Sequence, residues 1–139
     1  MTKTIRISAA LALSDDGQAL LVRKRGTLAF MQPGGKIEPG ETSEEALIRE
    51  LSEELGLAVP STAFEFLGRF QAPAANEPDY IVVADVFLLY VNDASIGATA
   101  EIEEIRWISL DDPGDILMAL LTEHHILPFY RRREAPVAS

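Results

Sequence analysis
Fifteen residues between Gly40 and Gly56 run without a proline or a glycine, and within them Leu47, Leu51 and Leu55 recur at every fourth position. That is the period of one helical face. A helix with a single apolar stripe cannot stand alone, so the rest of the chain has to supply a surface that covers it. Thr42 followed three residues later by Glu45 matches a capping box, with Ser43 as the alternative cap, and Gly56 suits the left-handed residue just past a helix end. The spacing predicts a helix from about Ser43 to Leu55. Before it, Met31 to Gly40 holds two prolines and three glycines, too many breakers for a helix or a strand, and reads as a shaped loop.

Beside its leucines the same helix carries acid. At ~100° per residue, Glu50, Glu53 and Glu54 fall within an arc of about a hundred degrees, and the leucines occupy the neighbouring arc. Carboxylates three and four residues apart repel by roughly a few tenths of a kcal/mol per pair in water, and by more where solvent is excluded. Two readings follow: a solvated acidic face of the kind common on helices, or a site where a divalent cation reverses the repulsion. Hard oxygen donors suit Mg²⁺ or Mn²⁺, which share their coordination with water and substrate phosphates. Zinc is a poor fit for a chain with no cysteine and only the adjacent His124-His125 pair.

The flanking segments read as strands. Ile5, Ile7, Ala9, Leu11 and Leu13 alternate with further apolar residues between them, which predicts a strand buried on both faces towards its end. Ser14 to Gly17 is turn chemistry and Ala19 to Val22 a second strand, so the two are expected as a hairpin. Phe64 to Phe70 and Tyr80 to Val91 are β-rich runs around a loop from Ala72 to Pro78, and Ile105 to Leu110 is a further short strand. Asp111 or Asp112 before Pro113 marks the expected start of a second helix, with Ile116, Leu117, Leu120 and Leu121 as its buried stripe. Trp107 is expected in the core rather than as a stacking platform. One domain over residues 1–130 and a disordered tail over residues 131–139 complete the expected organisation.

Twenty-two acidic against 12 basic residues give a formal net charge of −10, which repels nucleic-acid backbones and argues against a polymer partner. A small phosphorylated substrate fits if cations neutralise the acid where it docks. No stretch approaches the ~18 apolar residues of a membrane span, and Met1 to Leu13 reads as a strand rather than a leader because Arg6 and Ser8 interrupt it. The absence of cysteine fits a reducing cytoplasm, so a cytoplasmic protein without a membrane partner is expected, and a homodimer is compatible with the sequence.

The stretch from Gly35 to Leu57 resembles the signature of the Nudix hydrolase family at every fixed position: Gly35, five residues, Glu41, seven residues, Arg49-Glu50-Leu51, one residue, Glu53-Glu54, one residue, Gly56-Leu57. The resemblance implies an α/β fold in which a mixed β-sheet lies between helices as an α/β/α sandwich. It implies that Glu50, Glu53 and Glu54 bind the metal, Mg²⁺ or Mn²⁺, with the backbone carbonyl of Gly35 as a further ligand, and that Glu41 and Arg49 brace the loop against the helix. The implied reaction is attack of an activated water on phosphorus in a diphosphate linkage, with Glu50 the first choice of base and Glu53 the second. A further acid from outside the helix often completes such sites, and Glu101, Glu103 and Glu104 are the candidates by their place before Trp107.

In its length and in Pro33 to Glu38 the chain resembles the smaller family members that act on nucleoside triphosphates, including oxidised ones such as 8-oxo-dGTP. The implied substrate is a (d)NTP, cleaved to (d)NMP and pyrophosphate. The same signature is shared by hydrolases of ADP-ribose, nucleotide sugars and dinucleoside polyphosphates. A nucleotide-binding regulatory module without turnover is the rival of another class, though such modules commonly have damaged signatures and this one is intact. Arg23, Lys24 and Arg25 end the second strand, either to meet a substrate phosphate or as an ordinary basic strand end. Phe30, Asp85 and the His124-His125 pair are candidates for a base pocket, Asp85 being equally readable as a paired structural aspartate.

Overall fold
Strand β1 (Lys3–Leu13) is the axis on which the chain is built, paired in parallel with β5 (Tyr80–Tyr90) along its whole length in a computed structural model of the protein. The structure describes residues 3–74, 78–92, 94, 96–112, 114, 116–119 and 122–134. Around this pair stand β2 (Gln18–Lys24), β4 (Glu65–Pro73) and β6 (Ile102–Ser109), in the order β4-β5-β1-β2-β6, while the short β3 (Gly34–Lys36) pairs with β1. The β1–β5 ladder is parallel and the others antiparallel, so the sheet is mixed.

The sheet is covered on both sides. Leu11, Leu13, Leu21, Val86 and Leu88 pack on one side with Ile126, Leu127 and Tyr130. These last come from a π-helical turn (Thr122–Ile126) and the helix α2 (Leu127–Glu134) that continues it. Ala10, Ala12, Leu20, Phe87 and Leu89 pack on the other side against Leu47, Leu51 and Leu55 of α1 (Ser43–Leu55). Double coverage accounts for the unbroken burial of β1 from Ser8 to Leu13. The architecture is the α/β/α sandwich with a mixed sheet.

Helix α1 has the predicted bounds because its signals are local. Thr42 and Glu45 form the reciprocal capping box, and Gly56 at φ 65° closes the far end with its N–H on Ser52 O while Leu57 N–H reaches Leu51 O. Burying Leu47, Leu51 and Leu55 completely is worth about 1.5–3 kcal/mol for each side chain.

Other expectations give way to tertiary pairing. The β1–β2 hairpin holds at Leu13 and Ala19, beyond which the strands part and the loop from Met31 to Lys36 enters the split: Met31 bonds Val22, Pro33 O accepts Ala10 N–H, and Gly35 lies opposite Ser8. β4 runs on through Ala72 and Pro73, which the sequence assigns to a loop; as an edge strand it tolerates proline. β6 starts at Ile102, three residues earlier than expected. The second helix does not start at Asp111 or Asp112, because Phe30 N–H bonds Leu117 O and Ala119 N–H bonds Phe30 O, tying this segment to the sheet as a bridge. Helix begins only at Thr122 and carries on to Glu134, four residues into the segment expected as a tail; Pro113, Leu120, Leu121 and residues 135–139 lie outside the described residues.

Candidate active site
The split between β1 and β2 sets the site, because it lays Gly34 and Gly35 against the acidic face of α1. A side chain on either glycine has no room. A Cβ on Gly34, at φ 148°, falls 2.1 Å from Ser8 O, and one on Gly35 falls 2.5 Å from the Glu50 carboxyl carbon. The first approach is backbone to backbone and the second is backbone to carboxylate.

The three glutamates differ in environment. Glu54 is fully buried, accepting the Gly34 N–H at 3.1 Å and pairing with Lys24 Nζ at 3.1 Å. Lys24 also donates to Gly34 O at 2.9 Å, so one ammonium ties the carboxylate to the loop. Burial pushes the Glu54 carboxyl up, and Lys24 and the Gly34 N–H only partly offset this. Glu50 accepts from Arg49 Nη1 at 2.8 Å, and Glu53, facing solvent, has a looser 3.4 Å contact with the same guanidinium. Among the described residues no three acidic or imidazole side chains converge closely enough to enclose an ion. Lys24 engages Glu54, while Arg49 engages Glu50 closely and Glu53 more loosely.

Arg49 also binds the loop. Its Nε and Nη2 fork onto the two oxygens of Glu41 at 2.8 and 2.9 Å, and Nη2 reaches Lys36 O at 3.1 Å. Glu41 Oε1 accepts the Glu38 N–H as well. The Arg49 hydrogen bond, helped by the Glu38 N–H, holds the Glu41 carboxyl down to about 2 and raises the guanidinium above its usual range.

The remaining candidates separate by their ion-pair partners. Lys24 is drawn into the cluster, whereas Arg23 bonds Thr27 O and pairs with Glu104, and Arg25 bonds Ala100 O and pairs with Glu103. Glu104 thus meets Arg23 on β2 and Glu103 meets Arg25 just past its end, with Arg106 as a second partner of Glu104, and hydrogen bonding from Arg106 lowers the Glu104 carboxyl. Glu101 is exposed, and its carbonyl accepts the Arg25 N–H. Phe30 is buried in the core on the α2 side with the Arg106 guanidinium 5.3 Å from its ring centre. His125 is exposed, and the side chain of His124 lies outside the described residues. Trp107 is half-buried against the α1-side core.

Asp85 is paired with Arg69, Arg6 and Ser43 and does not line the cavity beside the glutamate cluster. Burial alone pushes its carboxyl up, but bonds from Arg69 Nε at 2.7 Å and Ser43 Oγ at 2.5 Å, with the Arg69 and Arg6 charges, outweigh this and leave it low.

Next to the cluster lies a cavity of about 330 Å³ that shares Lys24, Gly34 and Gly35 with it. Its other walls are mostly apolar, from Ile5, Ile7 and Val82, with Gln32, Lys36 and Thr122 as polar exceptions. Neither Gln32 nor Thr122 carries a motif, so sequence reading missed them.

The family model of the NUDIX domain matches residues 3–132, and the chain belongs to the Nudix family. It is 32% identical over 103 residues to a Methanocaldococcus jannaschii protein named ADP-ribose pyrophosphatase, covering 72% of this chain and 59% of that one. It is 38% identical over 73 residues to a Haemophilus influenzae protein named 8-oxo-dGTP diphosphatase, covering 50% and 52% of the two. The chain therefore spans only about half to six-tenths of the length of these relatives. Among solved structures it resembles the MutT protein of Methanosarcina mazei, with a TM-score of 0.74, 26% identity and coverage of 94% and 93%. No helix among the described residues is long and apolar enough to cross a membrane.

Proposed function
We propose that the chain hydrolyses a (d)NTP, ordinary or oxidised as in 8-oxo-dGTP, to (d)NMP and pyrophosphate. The observation that carries this reading is the junction of an acidic helix face, a glycine loop pressed onto it and a mostly apolar cavity sharing that loop. Charge at one end suits phosphates through a cation, and apolar room at the other suits the nucleoside.

Nudix hydrolases in general need divalent metal ions. The donors here are all oxygen: Glu50, Glu53, Glu54 and the Gly35 carbonyl would hold Mg²⁺ or Mn²⁺, and Gly35 leaves open the space that a Cβ would take from the Glu50 carboxylate. Such an ion supplies charge for the phosphate oxygens and acidifies the attacking water. The chain's own groups do the rest. Glu50 accepts the water's proton on Oε2, since Arg49 occupies Oε1, and Glu53 is the second choice of base. Arg49 and Glu41 keep the loop seated on the helix. Lys24, which lies beside Glu54 and the Gly34 carbonyl next to the cavity, is the member of the basic trio proposed to meet a phosphate. The proposed partner is a small nucleotide and the proposed compartment the cytoplasm.

Hydrolysis of dGTP in ¹⁸O-water tests the reading, with the label expected in dGMP and none in pyrophosphate. Label in orthophosphate beside a remaining nucleoside diphosphate overturns it. Glu53→Gln is expected to lower turnover by roughly a hundredfold or more with unchanged circular dichroism. The 32% identity to a protein named for ADP-ribose supports a second reading, selected if ADP-ribose is cleaved and no triphosphate is. Nucleotide binding without cleavage of any diphosphate would instead select the regulatory module.

A further inference from the structure
Gln32 and Thr122 lie 90 residues apart and meet at the cavity wall, where Thr122 Oγ donates to Gln32 Oε1 at 2.7 Å. Both are buried, Gln32 to 5% and Thr122 to 1% exposure. The bond takes the carboxamide oxygen and leaves Gln32 Nε2 buried with no partner among the described residues. A buried donor without an acceptor is unfavourable, and proteins keep few of them. In this arrangement the threonine hydroxyl engages the carboxamide oxygen, and the NH₂ is the end without a partner.

The cavity that Gln32 and Thr122 line is mostly apolar and shares Gly34, Gly35 and Lys24 with the glutamate cluster. A nucleotide with its phosphates over the glutamates therefore has its base directed to these walls. We propose that Gln32 reads the base: its amide NH₂, held in place by Thr122, donates to an exocyclic carbonyl oxygen, so the site favours oxo bases over their amino counterparts. The inference rests on the nucleotide reading of the same site. A carbonyl oxygen brings lone pairs to a donor that lacks an acceptor. An exocyclic amine at that place sets donor against donor and leaves both unsatisfied, which is the stronger source of discrimination.

Inosine and adenosine nucleotides offer the test, since they exchange a carbonyl for an amine at one position of the same ring system. Wild-type protein is expected to favour ITP over ATP by about tenfold or more in kcat/KM, carried by KM, and to bind IMP more tightly than AMP in calorimetric titration. Gln32→Met keeps the side-chain length and removes the donor, and is expected to bring ITP to the level of ATP. Thr122→Val is expected to shrink the preference in the same direction by releasing the amide. If Gln32→Met fails to fold by circular dichroism, Gln32→Leu, which also has no donor, takes its place. Equal affinity of the wild type for IMP and AMP overturns the inference, since it leaves a cavity water or a ring nitrogen common to both as the acceptor. A preference that survives in a folded Gln32 variant overturns it too. Should neither triphosphate be hydrolysed while IMP still outbinds AMP, the hydrolase reading falls and the base-reading inference stands.

Discussion

Glu54, Glu50 and Glu53 have side-chain exposures of 1%, 13% and 48%. The order follows from the helix itself: at ~100° per residue Glu54 stands next to the leucine arc and Glu53 farthest from it. One helical turn thus grades a buried carboxylate, a half-buried one and a wet one. The two glycines opposite them are sensitive for different reasons. A methyl on Gly34 meets the Ser8 carbonyl, which belongs to the β1 backbone, at a φ that side chains avoid. Nothing there can yield cheaply, so Gly34→Ala is expected to destabilise the fold by at least about 1–3 kcal/mol. A methyl on Gly35 meets only the end of the Glu50 side chain, which can swing away. Gly35→Ala is therefore expected to stay within about 1 kcal/mol of wild type while turnover falls roughly a hundredfold, because Glu50 is displaced from its place. Urea titration with parallel turnover measurements separates the two, and comparable stability loss in both would show that Gly35 matters only for packing.

At the scale of elements, α1 is fixed at its two ends by unrelated devices. From its second turn onward it is held by Leu47, Leu51 and Leu55. Its first residue is tied to the sheet by Asp85, which joins Ser43 on α1 to Arg69 on β4 and Arg6 on β1. Because the folded pKa of Asp85 is lowered, its contribution is present above the unfolded value near 3.8 and is lost as pH falls through the lower folded one. Asp85→Asn is expected to lower stability by about 1–3 kcal/mol at pH 7. The gap to wild type should narrow as the pH is taken below 3.8 in urea titrations. A gap that does not change with pH would mean that the carboxylate charge is not what anchors the helix. Legibility divides along the same line between local and distant causes. The bounds of α1 and the glutamate spacing are readable because caps and periodicity act within a few residues. The insertion of β3 between β1 and β2 is not, nor is the late start of the second helix, since both depend on backbone bonds between distant segments such as Phe30 and Leu117. Arg23, Lys24 and Arg25 look alike in sequence, and only the pairing with β6, irregular between Arg23 and Lys24, separates Lys24 at Glu54 from Arg23 at Glu104 and from Arg25, past the strand end, at Glu103. Gln32 and Thr122 give no local signal at all.

For the whole molecule the governing quantity is its charge of −10, part of which is concentrated on one helix face facing a loop. Lys24 and Arg49 act as internal counter-cations, each engaging one of the less exposed glutamates. A divalent ion that binds only the folded chain adds about 2.7 kcal/mol at a hundredfold excess over its dissociation constant, a rise in melting temperature of roughly 10 °C for a domain of this size. To use Glu54, the ion has to take over the oxygen that Lys24 holds. Lys24→Met removes that competitor and leaves a buried carboxylate without its cation, which is costly in the absence of metal. The variant is therefore expected to melt below wild type in EDTA and to gain more than wild type from saturating Mg²⁺ or Mn²⁺. A protein with Gln at positions 50, 53 and 54 should gain nothing from either ion. Thermal melts of the three proteins, each with chelator and with metal, decide the matter. A metal-dependent rise of equal size in the triple variant would place the ion elsewhere, and an unchanged EDTA melt for Lys24→Met would show that the lysine does not stabilise the buried glutamate.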